Sequence, residues 1–310
     1  MSAEQYAALL EGAGHRVVRT EGAWWYESQR HWFMGFPFHA ELAPTADERR
    51  RLFAQGAWVL RYPCALAIGQ ASHRSVCDDP GYGLSSLSGK ARNQLRRGLE
   101  NCSVRRLSFA DLRRHGGLEL SRSTLRRQNR GVPADHDSYW LGYYAAAEPI
   151  DTAECWGAFV GDELAASLIA VTIEDCANLL VLRSAREHLG RYPNNALVYT
   201  FTRNALSRPW VTEVSWGLES LLPDLVPLEH FKVGMGFEER SVGQRLDVTG
   251  WLKVLLRSPA APAARMVAVR RQERPNWGRL PAMLEWYANQ PPPTCLTAPD
   301  GAGQLGGASR

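Results

Sequence analysis

The sequence is poor in the signatures that usually give a catalytic chemistry away. Its six cysteines (Cys64, Cys77, Cys102, Cys155, Cys176 and Cys295) form no Cys-x-x-Cys pair, so neither a zinc ribbon nor a thioredoxin-like redox motif is present. There is no Walker-type phosphate loop and no Gly-x-Ser-x-Gly elbow. His31 and His39 flank an aromatic run without a third ligand at useful spacing, and no metal is expected. No apolar run reaches the roughly 18 residues that cross a bilayer. The start, Met1-Ser2-Ala3-Glu4-Gln5, has neither the basic opening nor the apolar stretch of a signal peptide. These absences lead to the expectation of a soluble, cytoplasmic protein with reduced core cysteines and no membrane span. Neither an internal repeat nor a heptad pattern appears, which argues against a purely structural role.

What is present is an apolar fraction of 45% over 310 residues, enough for one large or two small domains. The net charge of +4 is mild, but its distribution is uneven: Lys90 to Arg130 holds twelve Lys/Arg against Glu100, Asp111 and Glu119. Such a block either faces phosphates or forms a solvated basic surface. Interleaved aromatics are missing from it, so it is no specific nucleic-acid signature, and no DNA partner is expected.

Read along the chain, strands and helices alternate in the manner of a mixed α/β domain with one main sheet. Helices are expected at Ser2–Leu10, at Ala46–Gln55 behind a Thr45 cap, and at Ser88–Glu100 with Leu87, Ala91, Leu95 and Leu99 as its apolar stripe. Further helices are expected at Phe109–His115, Glu119–Arg130 and Tyr139–Ala147, and at Asn194–Leu206 behind Pro193. Arg16–Arg19, Ala23–Glu27, Trp58–Tyr62, Ala65–Ile68, Val104–Leu107, Ala177–Leu182 and Val211–Trp216 read as strands. Cys155–Val160 and Leu164–Val171 read as a hairpin turning at Gly161-Asp162. Glu238–Val242 and Gln244–Val248 read as a final pair. Trp24, Trp25, Tyr26, Trp32, Phe33, Phe36 and Phe38 either line an acceptor pocket or fill a core, which aromatics do more often. The boundaries expected are a first lobe over 1–112, a second over 113–258, an extension with a short helix over 259–289, and a disordered tail over 290–310.

Four segments carry a resemblance. They are Leu87-Ser88 with Arg92 and Arg96-Arg97-Gly98, the hairpin Trp156-Gly157-Ala158-Phe159-Val160 with Leu164-Ala165-Ala166, Tyr192-Pro193-Asn194-Asn195-Ala196-Leu197, and Phe231-Lys232-Val233-Gly234-Met235-Gly236-Phe237. In this order they resemble the GNAT (acyl-CoA N-acyltransferase) superfamily, and most closely its Fem-like aminoacyltransferase branch. The resemblance spans Tyr82 to Val248. It implies an α/β GNAT-type fold of two lobes, the first degenerate, and an acyltransferase that moves an acyl group from acyl-CoA to a small-molecule or peptide amine. A donor of the aminoacyl-tRNA kind is the alternative, and a non-catalytic ligand-binding protein of the same fold is the second. There is one departure. The glycine-rich turn that cradles the coenzyme A pyrophosphate is represented only by Arg186-Glu187-His188-Leu189-Gly190-Arg191-Tyr192-Pro193, where Pro193 also lacks a donor.

The resemblance assigns Lys232 to the transfer site, where an ammonium can stabilise the tetrahedral oxyanion. Phe231 would direct it, and Gly217 would end a strand where the chain splays to admit substrate. Glu219 is the candidate base for the acceptor amine, with His188 and His230 as further possibilities. Arg186, Gly190, Arg191, Asn194 and Asn195 are the candidates for the donor's phosphates at a helix N-terminus. Arg92 and Arg96 are candidates for tRNA or a nucleotide-linked acceptor, and Trp32 for an acceptor pocket.

Overall fold

The computed structural model describes residues 1–220, 226–257 and 280–292. The expected disorder of the tail lies, from residue 293 on, outside the described residues, as does Cys295. The strands are β1 (Val17–Arg19), β2 (Trp24–Gln29), β3 (Trp32–Phe36), β4 (Val59–Cys64), β5 (Gln70–Cys77), β6 (Ser103–Leu107), β7 (Ala153–Val160), β8 (Glu163–Ile173), β9 (Cys176–Ser184), β10 (Glu213–Leu218) and β11 (Glu238–Val248). They form one mixed sheet in the order β1-β2-β3-β4-β11-β5-β10-β9-β8-β7-β6. Only β3/β4 and β9/β10 run parallel among these pairs. The helices are α1 (Ala3–Gly12), α2 (Ala46–Ala54), α3 (Gly89–Asn101), α4 (Phe109–Arg114), α5 (Gly117–Arg127), α6 (His136–Ala147), α7 (Pro193–Leu206), α8 (Val226–Gly234), α9 (Gly250–Arg257) and α10 (Leu280–Asn289). No helix among the described residues is long and apolar enough to cross a membrane.

The chain crosses the sheet in both directions. β6, which precedes the lobe boundary expected at residue 112, lies at the far edge beside β7. β11, from the second half, lies between β4 and β5. α3 and α7 cover one face through Leu87, Ala91, Leu95, Leu197, Val198 and Phe201. α1, α4, α5 and α6 cover the other through Tyr6, Leu10, Phe109, Leu120, Tyr143 and Tyr144. With both faces covered, β7 and β8 are buried almost end to end, as covered strands must be. A third cluster joins Trp25, Phe33 and Tyr62 to Leu52 of α2.

Three expectations are corrected. Ala65–Ile68 is a turn, and the strand follows it at Gln70–Cys77. That strand reads Gln-Ala-Ser-His-Arg-Ser-Val-Cys and shows no apolar alternation, because its interior partners are polar. Arg74 donates to Glu213 Oε1 at 2.6 Å, and Ser72 to Glu219 Oε2 at 3.0 Å. The expected final pair is instead one continuous strand, β11, which runs through Gly243 and pairs on both sides. Leu99 is exposed rather than part of the α3 stripe. The last turn of α3 meets α7 through Gly98, whose added Cβ would stand 2.7 Å from the Tyr192 carbonyl oxygen, so the next residue turns outward.

Candidate active site

β9 and β10 pair only over Glu213↔Cys176, Val214↔Ala177 and Ser215↔Asn178. β9 then runs on to Ser184 while β10 follows β5, with a register shift between Ser215 and Leu218. Gly217 sits in that shift at φ +77°, which glycine adopts without the strain of a Cβ. Two parallel strands therefore part at their carboxyl ends. α7 begins on the connection that leaves β9 there, and carboxyl ends of parallel strands beside a helix N-terminus are where open α/β sheets hold ligands.

Trp216, the first β10 residue past the last pair, meets Phe231 of α8 edge-on at 5.8 Å and Phe237 at 5.5 Å. α8 ends in a left-handed turn at Gly236 (φ +85°), where the Phe237 N–H donates to the Lys232 carbonyl oxygen at 3.1 Å. Lys232 is 4% exposed. Its ammonium donates to Glu229 Oε1 at 2.8 Å and lies 6.0 Å from the Trp216 ring centre. Glu229 and the Trp216 ring, itself backed by Phe231, thus fix the buried head group of the lysine.

Around Glu229 stands a cluster that sequence reading missed. His73 of β5 has Nε2 3.8 Å from Glu229 Oε2 and 3.8 Å from Glu239 Oε1, and Nδ1 3.6 Å from Glu219 Oε2. Its Nε2 is buried and has no hydrogen-bond partner among the described residues. Glu219 lies just past the end of β10, where its N–H donates to the His73 carbonyl oxygen at 2.8 Å. Its own carbonyl oxygen accepts from Arg61 Nη2 at 2.9 Å, and Gln244 bonds both Arg61 and Ser72. The backbone at Glu219 is therefore held from three strands. A lone histidine in a polar strand gave no signal. The only available clue was that Gln70–Cys77 is too polar for an ordinary core strand and must spend its polar groups on one another.

Ligand atoms of His73, Glu229 and Glu239 lie within 4.8 Å of one another, a set that can hold a divalent cation. In this arrangement the Lys232 ammonium already supplies a positive charge to Glu229.

The other expected residues are dispersed. Asn195 is buried with Nδ2 directed at Met235 Sδ (3.4 Å) and Gln94 Oε1 (3.5 Å), so its side chain serves the core. Asn194 Nδ2 reaches Ser184 Oγ at 3.3 Å. Arg186, Gly190 and Arg191 are exposed on the 3-10 turn before α7. Tyr192 closes that turn at φ +56° and gives α7 no side-chain cap. The first turn of α7 therefore suits an anion through its backbone, without a glycine-lined cradle. His188 pairs with Glu163 at 3.0 Å, and His230 is exposed. Arg92 is half-buried and Arg96 exposed on α3, without a carboxylate partner among the described residues. Trp32 packs with Val59, Leu246, Trp286 and Tyr287 in a cluster separate from that of Trp216 and Phe231. The remaining N-terminal aromatics fill cores.

No protein-family profile matches the chain, and no curated protein matches it in sequence. Solved structures do. One is described as FemX, with 13% identity and a TM-score of 0.56 over 82% of this chain and 93% of that one. Another is the C-terminal domain of a putative lysylphosphatidylglycerol synthetase from Agrobacterium fabrum, with 12% identity and a TM-score of 0.53 over 81% and 89%. The chain thus shares the fold of these two solved structures. β9 and β10 part beside the α7 N-terminus, Phe231 and Lys232 stand against Trp216 just past that parting, and the aromatic N-terminus stays in the core.

Proposed function

We propose that the chain transfers an acyl group to an amine where β10 leaves β9. The observation that carries this reading is the buried Lys232 ammonium beside Trp216, with Glu219 two residues past the left-handed Gly217. In the proposed step Glu219 takes the proton of the acceptor ammonium. The free amine attacks the acyl carbonyl, Lys232 stabilises the oxyanion, and the leaving group departs with the electron pair of the broken bond and takes up the proton that the attacking nitrogen gives up. Ser72 and His73 fix the Glu219 carboxylate, so His73 is a positioning residue. Phe231 and Trp216 keep water from Lys232.

The donor we propose is an acyl thioester of coenzyme A. The uncapped first turn of α7, flanked by Arg186 and Arg191, would hold its phosphates, and the thioester would supply the activated acyl carbon. Aminoacyl-tRNA is the second reading. It is favoured by the 3-10 turn and Pro193 standing where a glycine cradle belongs, and by Arg92 and Arg96 of α3, which have no carboxylate partner among the described residues. Calorimetric titration with acetyl-CoA, longer acyl-CoAs and charged tRNA separates the two. Coenzyme A binding that Arg191→Ala weakens supports the thioester. Salt-sensitive binding of charged tRNA alone supports the second donor. Binding of neither, with no turnover, refutes the transferase reading.

A further inference from the structure

Several arginines of this protein hold a carboxylate. Arg74 and Arg240 share Glu213, Arg208 holds Glu154, and Arg245 holds Asp247. Arg183, at the carboxyl end of β9, has none among the described residues. Its Nε donates to Ser121 Oγ at 3.3 Å, and its guanidinium lies 5.9 Å from the Trp140 ring centre. No acceptor among the described residues meets its Nη groups. Burial and the nearby Arg130 both press on its charged form. Arg127, one helical turn before Arg130, donates to the neighbouring Ser184 Oγ at 3.2 Å and likewise lacks a carboxylate. A partly desolvated cation without a counter-ion is costly unless something else supplies one.

The cation is also held in place. Ser121 Oγ lies 2.9 Å from His136 Nε2, His136 Nδ1 lies 2.8 Å from Asp137 Oδ1, and Arg122 pairs with Asp137. Ser121 and His136 are 3% and 4% exposed. The chain of contacts Arg122–Asp137–His136–Ser121–Arg183 therefore runs from α5 through α6 to β9 and ends on a guanidinium fork whose outer donors are unspent. The order Asp-His-Ser imitates a nucleophilic triad. Ser121 nevertheless sits inside a helix, buried, with a guanidinium donating to it, so its hydroxyl is an anchor rather than a nucleophile.

We propose that Arg183, flanked by Arg127 and Arg130, is a preorganised site for an oxyanion group of a ligand, a phosphate or a carboxylate, on the α5–α6 face of the sheet. Arg127, and Asn194 in the first turn of α7, both donate to Ser184 Oγ, so the site adjoins the phosphate position at the α7 N-terminus from the α5–α6 side, and Arg183→Gln tells the two apart. Binding there does not depend on the transfer reaction and is tested without turnover. The probes are inorganic phosphate and succinate, measured by calorimetry and thermal shift at matched ionic strength. Binding by the parent protein should weaken about 10- to 100-fold in Arg183→Gln, as for the loss of a charge-assisted hydrogen-bonded pair. Ser121→Ala keeps the charge but frees the fork, and should weaken binding severalfold. Arg50→Gln, an exposed arginine paired with Asp47, should leave binding unchanged. Without anions, Arg183→Gln should melt no lower than the parent, because it removes an unpaired charge. Should that variant not fold, Arg127→Gln carries the same test from an exposed position. A response to phosphate alone assigns a phosphate-bearing ligand, and a response to both assigns a carboxylate as acceptable. The proposal fails if neither anion binds the parent, or if Arg183→Gln and Ser121→Ala bind as the parent does.

Discussion

Replacing Lys232 by methionine separates what this residue does for folding from what it does for chemistry. Methionine keeps most of the stem that packs against Trp216 and removes the ammonium. Breaking a buried ion pair costs about 3–5 kcal/mol, because the surviving charge is left without compensation. Here the survivor is Glu229, whose side chain remains 24% exposed and faces His73, so water and the imidazole offset part of the loss. We therefore expect a smaller loss of about 1–3 kcal/mol at neutral pH. Glu229→Gln strands an ammonium whose side chain is only 5% exposed, so it should cost more, about 3–5 kcal/mol. The double variant removes both charges and should recover part of the loss, giving a positive coupling in the cycle. Activity should behave otherwise. Loss of one oxyanion donor lowers kcat by about 10²–10³. Glu229→Gln retains the ammonium, so its kcat should fall far less, and the double variant should be as slow as Lys232→Met alone. Urea denaturation gives the stabilities, and acyl transfer corrected for folded fraction gives the rates. A Lys232→Met enzyme whose kcat stays within about threefold of the parent refutes the catalytic assignment whatever its stability, since threefold is under 1 kcal/mol of barrier.

Gly98→Ala places a methyl 2.7 Å from the Tyr192 carbonyl oxygen and 3.3 Å from Ala196 Cβ, and should cost about 1–3 kcal/mol by urea denaturation, with α3 and α7 pushed apart. Burial pushes the Glu48 carboxyl up, but the N–H groups of Gly22 and Thr45 donate to it and hold it below its ordinary value of 4.5. The stability it contributes is therefore full above that value and lost as pH falls through the lower folded value; Glu48→Gln should flatten this acid limb of the stability profile. Burial raises the thiols of Cys64 to about 12 and Cys77 to about 11, and those of Cys155 and Cys176 further. A Cys295→Ser protein should thus react with a thiol-specific reagent at neutral pH only as fast as it unfolds; rapid labelling of a native thiol would contradict the buried placement.

The parts legible in the sequence are those whose signal is local. Ser2, Thr45 and Ser88 cap their helices as their residue types demand, and Gly161-Asp162 turns the β7–β8 hairpin. Pro193 opens α7, and Leu87, Ala91 and Leu95 form the buried stripe of α3. The parts that were not legible depend on distant pairing. β5 is polar because Arg74, Ser72 and His73 find Glu213 and Glu219, residues some 140 positions later in the chain. A period-two search cannot see a strand whose inward residues are charged and matched elsewhere. β11 reads as two strands because a glycine inside a strand pattern signals a break, while the sheet holds Gly243 in register between β4 and β5.

The same nonlocality explains how the site was half found. Phe231 and Lys232 belong to one contiguous segment, Phe231 to Phe237, and are named from it, while Gly217 is legible as a glycine at the end of an apolar strand. The partner of Lys232 is Glu229, one helical turn earlier, and needs the helix before it can be recognised. His73 needs the sheet order, since only the placing of β11 and β10 on either side of β5 brings Glu239 and Glu219 to its two nitrogens. The inserted strand β11 thus joins the two ends of the chain through its backbone ladder and also sets one wall of the charged cluster. A change that loosens β11 should therefore act on Glu219 geometry as well as on stability. Gln244→Leu provides the case: it removes the contacts to Arg61, Ser72 and the Glu219 carbonyl oxygen without touching a proposed reacting group.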